Sequence, residues 1–520
     1  MNRRHFLRRW IDRPTSGGGR EVLLPAAGLE SYVPDPSHPW DAIRVGHLLR
    51  RTTFMPRWSD IATLMTMTPS EAVELLLDTA SQPQRPGVAD NATESLEGLD
   101  VVLSAQVKAQ WENDAGVLRG WWAKAMSEAG LTIAEKMAAF WSGHFTTEFL
   151  VEDDYVQAPL LYRQNQVFRE YGLGNLRDLV KRVTLDGAML VYLGGDLSNA
   201  VAPNENYARE LLELYTTGLG WYTEGDVQNA ARILTGWRIA RYSDMPAPNG
   251  IFEVYFHPAA HDIGAKEFMT ISFPARDTTT NTEFIVRRDE IHRLIDVIFE
   301  QRSRPVAEHI CRKIYRYFVY SNPGAADDAI VSAMADLFIQ SDFEIRPVMA
   351  ALLKSAHFFD NAVIGAQIKT PAELMVGLVR QMGSSVDPSA VMSRLGETLY
   401  DPPNVSGWNG WHDWITTTTF PLRSTTVQGA AAAMPESAIS SLILSMPDGA
   451  TDVHAVATNL AAMFLPRPLS TERKATIEQK LLANGPDYDW DDIVANPTAL
   501  ARNVHDALAY MVDLPDFQLC

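Results

Sequence analysis

The chain has 520 residues, 46% hydrophobic and 21% charged, a balance that excludes a disordered or fibrous protein. Its formal net charge of −19 argues against nucleic-acid binding, which needs a basic surface to displace counterions, and against docking on anionic lipid. Two distant cysteines, Cys311 and Cys520, make neither a disulfide framework nor a metal cage, and no apolar run reaches the ~18 residues of a membrane span.

Residues 1–37 read as a basic, flexible arm, and Asn2-Arg3-Arg4-His5-Phe6-Leu7-Arg8 within it matches the start of a twin-arginine export signal. Charged and Gly-rich residues follow where such a signal carries its apolar segment. The arm therefore has two readings, an export signal directing the chain to the periplasm or beyond, or a disordered extension of a cytoplasmic protein. Residues 38–430 form the main helical domain, and 431–520 a C-terminal helical region expected to pack on it. Apolar spacing predicts helices over 41–52, 59–67 and 70–79, then a polar loop over 83–98. Further helices are predicted at 102–128, 132–150, 155–171 and 174–184. Alternating β-rich runs at 251–256 and 268–273 are expected to pair as a small hairpin in an insertion near 250–274. Helices resume at 287–301, 304–320, 325–341, 344–356 and 371–383, before a Pro/Gly/Trp-rich loop over 401–423. The fold class is mainly α, a large multi-helix body with one small β-hairpin insertion. There is no P-loop, Gly-x-Ser-x-Gly elbow, His-Glu-x-x-His helix or Cys-x-x-Cys pair, which argues against the common nucleotide-fuelled and serine-hydrolase classes.

Four segments carry chemistry. In 203–215 (PNENYARELLELY), helical spacing places Glu205, Asn206, Arg209, Glu210 and Glu213 within an arc of about 140°. Tyr207, Ala208, Leu211, Leu212 and Leu214 fill the opposite arc. Three carboxylates beside a guanidinium suit acid–base work or a hard cation; equally, they suit a solvated face laced by Glu205–Arg209 and Arg209–Glu213 pairs. A second helix begins at the Thr223–Asp226 capping box and ends near Thr235-Gly236-Trp237, forming an antiparallel pair with the first across Gly218-Leu219-Gly220. In 257–266, His261, Asp262 and Lys266 share one turn, a composition for proton transfer or for turn-stabilising hydrogen bonds. In 401–414, Trp408, Trp411 and Trp414 stand at three-residue spacing near Asn404. They form either a stacking platform or a loop pinned by buried indoles. His144 closes the Trp141-Ser142-Gly143-His144-Phe145 run at a helix end.

The segments HLLRRTTF (47–54), KMAAFWSGHF (136–145), PNENYARELLELYTTGLGWYTEGDVQNAARILTGW (203–237), HDIGAK (261–266), KTPAELMVGLVRQMG (369–383) and PPNVSGWNGW (402–411) occur in order. Together they resemble the bacterial family catalogued as domain of unknown function 1800, from about residue 40 to the closing LPDFQ. Asp186-Gly187-Ala188-Met189 departs from the pattern, since the family tends to place Pro before Ala-Met. The resemblance implies frequent export through twin-arginine-like starts and a gene neighbour resembling alkaline phosphatases and sulfatases; it implies no agreed activity. It also puts a functional role for Glu205, Arg209, Glu210 and Glu213 on an equal footing with the solvated-face reading.

The resulting expectation is a site where the His261, Asp262 and Lys266 turn folds over the 204–213 helix, walled by the Trp408–Trp414 loop. Asn204, Asn206, His144, Asn404, Trp408 and Trp411 would contribute binding contacts, and a divalent cation is the cofactor such carboxylates would hold. Two functions follow: a hydrolase or group-transfer enzyme acting on a glycan or other polymer, or a non-catalytic binding or assembly partner of the phosphatase/sulfatase-like protein.

Overall fold

A computed structural model describes residues 28–90, 101–151, 154–240, 253–384 and 386–520. The Arg3-Arg4 motif, part of the 83–98 loop and residues 251–252 lie outside them. Six helices position the site: α1 (Ala42–Thr52), α2 (Ala134–His144), α3 (Glu205–Glu213), α4 (Glu224–Ile233), α5 (Ser303–Phe318) and α6 (Pro371–Met382). Several of them start at a side-chain cap. Asp41 caps α1 through Arg44 N, and Thr370 and Glu373 form a reciprocal capping box at α6. Thr223 and Asp226 do the same at α4, and Asp226 Oδ1 also accepts Met269 N at 2.7 Å, tying that helix start to a β-turn.

The body is mainly helical, and its β structure consists of short antiparallel pairs. Strands β1 (Leu150–Val151) and β2 (Asp154–Tyr155) pair first; β3 (Trp237–Ile239) then pairs with β4 (Val254–Phe256), and β5 (Lys266–Phe268) with β6 (Ile271–Phe273). The expected partnership between 251–256 and 268–273 is therefore corrected. The second run is itself a hairpin, turning at Met269 and Thr270, whose φ values of 49° and 69° fit a two-residue turn of the left-handed kind. The first run finds its partner upstream, at the end of the α4 segment.

Two predicted boundaries also move. Helix α2 stops at His144, because Phe145 takes a non-helical ψ of 68° and the chain then extends toward β1. The tryptophan loop ends earlier than expected, with a helix over Thr419–Ala432.

One contiguous apolar core runs from Val45 to Phe517. The C-terminal helices share it: buried Arg50 of α1 donates to the carbonyls of Ala462, Met463 and Leu465 at 2.7, 3.0 and 2.8 Å, and Trp58 Nε1 donates to Ser445 O. Among the described residues, no helix is long and apolar enough to cross a membrane.

Candidate functional site

The phase of α3 follows the sequence spacing. Tyr207, Ala208, Leu211 and Leu212 are buried, and Leu214, just past the helix end, is half-buried. Asn204 is the cap, accepting from Tyr207 N at 3.0 Å while its amide donates to Leu193 O. On the polar face Glu205 and Asn206 are exposed. Arg209 reaches across to Glu224 of α4 at 2.6 Å instead of closing pairs with Glu205 and Glu213. Glu213 accepts the Tyr222 hydroxyl at 2.6 Å. This face is a surface bound to the neighbouring helix.

His261, Asp262 and Lys266 assemble a second, separate cluster. His261 Nδ1 lies 2.9 Å from Thr235 O, and its Nε2 lies 3.3 Å from Glu290 Oε2. Lys266 Nζ donates to the same carboxylate at 3.0 Å, Arg276 reaches its other oxygen at 2.5 Å, and Asp262 takes a two-point pair from Arg232. Glu290 sits in a π-helical turn over Arg287–His292 and is fully buried. Burial alone would raise its carboxyl; His261, Lys266 and Arg276 hold it below the usual range. The side chains of this turn thus face Thr235, Arg232 and Glu290, and α4 packs between them and α3. Among the described residues, no group of three or more His, Cys, Asp or Glu converges as a metal ion would require.

The other end of α3 opens on a cleft of about 380 Å³. Three basic side chains meet the carbonyls just beyond the helix, where the backbone dipole is negative. His144 Nε2 lies 3.2 Å from Tyr215 O, His309 Nε2 lies 3.0 Å from Leu214 O, and Lys313 Nζ donates to Leu214 O at 2.9 Å. Lys313 also donates to His144 Nδ1 at 2.9 Å, which fixes the His144 tautomer with its proton on Nε2. Burial, then the Lys313 charge, hold His144 well below its ordinary range, so it is a neutral acceptor here. Burial and nearby Arg316 push Lys313 down to about 7.

Across the cleft lie two carboxylates in opposite states. Glu373, the capping-box residue of α6, pairs with Lys136 and lies 3.6 Å from Arg51; burial opposes its charge, yet these cations hold it at about 2. Glu397 accepts from Ala372 N at 2.7 Å, and burial raises it to about 7. Lys313 and Glu397 are both half-buried at the edge of the cleft.

The tryptophan loop forms the remaining wall. Trp408 and Trp411 line the cleft half-buried, while Trp414 is buried and anchors the loop. Asn404 shapes the loop from behind, accepting from Ser406 N and Gly407 N. Gly407 has a φ of 77°, and a Cβ there would stand 2.6 Å from Gly143 O. Only glycine permits this approach to the end of α2, which Thr146 reinforces by donating to Val405 O.

A family model described as Protein of unknown function (DUF1800) matches residues 47–519. The chain belongs to the DUF1800 family. No curated protein and no solved structure matches it. In this DUF1800 chain the cleft gathers His144, Trp408 and Trp411, which the sequence singled out, with Lys313, Arg316, His309, Glu373 and Glu397, which it did not. Glu373 carried a usable signal, the Thr-Pro-Ala-Glu capping box. Lys313 and Glu397 carried none, since each lies in an ordinary amphipathic or turn sequence.

Proposed function

We propose that this protein is a hydrolase or group-transfer enzyme acting on a glycan or other polymer, and that the tryptophan-walled cleft is its active site. One observation carries the reading: Glu397 and Lys313, an acid and a base, border the same cleft as Trp408 and Trp411. With its carboxyl raised to about 7, Glu397 holds and releases a proton near neutral pH, as a general acid–base group must. It would give that proton to the leaving oxygen as the scissile bond breaks, then recover one from the incoming water or acceptor hydroxyl. Lys313, held by Leu214 O and His144, keeps one further valence for the cleft, to orient a substrate oxygen. The indoles would pack against the flat apolar face of a sugar ring.

In this proposal Glu205, Arg209, Glu210 and Glu213, with His261, Asp262 and Lys266, are positioning residues. They fix α3 and α4, whose carbonyl end holds His144, His309 and Lys313. The test is an activity screen of the purified protein on glycans, phosphate esters and sulfate esters, repeated with Glu397→Gln. Turnover that falls ~10²–10⁴-fold in a folded variant supports the reading. Turnover indifferent to Glu397 defeats it.

A second reading, a binding or assembly partner for the phosphatase/sulfatase-like neighbour, is favoured by a different feature. Leu219 and Trp221 stand 58% and 50% exposed on the α3–α4 turn, beside a surface groove of about 460 Å³. Co-purification with that neighbour, lost in Trp221→Ala and kept in Glu397→Gln, would establish it.

A further inference from the structure

The charges lining the cleft do not balance. Lys313 and Arg316 stand one helical turn apart on α5 and both line it. Among the described residues neither forms an ion pair with a carboxylate. Lys313 meets only a carbonyl and an imidazole; Arg316 uses Nε on Ser321 O at 3.1 Å. Several buried cations of this body meet acids, since Lys136 and Arg51 share Glu373, Arg169 meets Glu135 and Arg380 meets Asp60, whereas fully buried Arg50 and Arg423 donate to carbonyls instead. What sets Lys313 and Arg316 apart is their place: two adjacent cations, one half-buried and one exposed, face the same cavity in a chain of net charge −19.

The acids that line the same cleft do not offset them. Glu373 is already committed to Lys136 and Arg51, and Glu397 accepts from Ala372 N and is held toward its neutral form. Arg316 also lowers the proton affinity of Lys313, a cost that an external anion would remove. On the opposite wall, Trp408 Nε1 is buried with no acceptor among the described residues. A buried indole N–H without a partner costs free energy that a ligand oxygen would recover.

We infer that the cleft takes a sugar bearing an oxyanion, a uronate carboxylate or a sulfate ester, with the anion between Lys313 and Arg316 and the ring against Trp408 and Trp411. This rests on the reading of the cleft as a glycan site and names the class of glycan. Arg316 is the specificity determinant, because its planar guanidinium matches a carboxylate or sulfate edge, whereas Lys313 acts as a point charge. A neutral sugar would leave both cations unpaired.

The experiment is calorimetric titration of the full chain with three probes: an oligogalacturonate, a sulfated galactose oligosaccharide and a neutral galactose oligosaccharide. An acidic probe should bind at least ~10-fold more tightly than the neutral one. Arg316→Gln should erase that preference and Arg316→Lys should keep part of it, with thermal melting unchanged because Arg316 is exposed. Which acidic probe wins identifies the oxyanion. Equal binding of the neutral probe, binding indifferent to Arg316→Gln, or no binding of either acidic probe at millimolar concentration overturns the inference. Its fate separates from that of the enzyme reading. Acidic binding without any turnover keeps the anion site and removes the enzyme, whereas Glu397-dependent turnover of a neutral glycan does the reverse.

Discussion

The His261–Glu290 cluster and the cleft at the end of α3 hold similar residue types in opposite conditions. In the cluster, one buried carboxylate meets a histidine, a lysine and an arginine, and Asp262 meets Arg232. In the cleft, Lys313 and Arg316 face a cavity with no acid paired to them, and Glu397 is held near neutrality. The first arrangement spends its polar groups on one another and so fixes helix and hairpin in register. The second leaves them unspent. Density of polar residues marks both places; only incomplete pairing marks a place where something else can bind.

Substitutions in each region test this contrast. The largest effect on stability is expected from Glu290→Gln, which leaves Lys266 and Arg276 buried without their counter-charge, at a cost of about 3–5 kcal/mol in urea unfolding. A loss below ~1 kcal/mol would show the cluster to be less interdependent than its geometry implies. Next comes Gly407→Ala. The positive φ and the approach to Gly143 O predict a loss of about 1–3 kcal/mol, together with weakened ligand binding as the tryptophan wall shifts. Unchanged melting would mean that the loop can move away from α2 at little cost.

Glu397→Gln should act in the other direction, and more so as pH rises. Wild-type Glu397 keeps its proton when folded at pH values where the unfolded chain, with its ordinary value of 4.5, has lost it. Wild-type stability therefore falls from about pH 4.5 to about pH 7 and stays lower above. Glutamine has no proton to lose, so the variant should gain on the wild type across that window by about 1–3 kcal/mol. A pH-independent difference would place Glu397 in water. The smallest effect is expected at α3: a double-mutant cycle on Arg209 and Glu224, partly exposed, should return about 0.2–1 kcal/mol. A coupling well above that would move the α3 face into the cluster's class.

Much of the fold was legible because helices announce themselves locally. Apolar spacing placed the helices at Ala42–Thr52, Trp58–Met65 and Pro69–Asp78 to within a residue or two, and the Thr223–Asp226 box marked the start of α4. Strand pairing was not legible, since three-residue strands contain too little alternation to name a partner. The cleft was legible only in part. His144 and the tryptophans stand out by composition, whereas Lys313 on α5 and Glu397 beyond α6 acquire their properties from desolvation by distant segments. No local pattern encodes that.

The π-helical turn over Arg287–His292 makes the spacing of this stretch matter as much as its composition. Such a turn amounts to one residue more than an α-helix would accommodate. Excising one residue there would restore regular winding, but would rotate Glu290 by about 100° relative to the helix that follows, away from His261, Lys266 and Arg276. The segment should therefore accept many replacements at its exposed positions, such as Arg288, and no change of length.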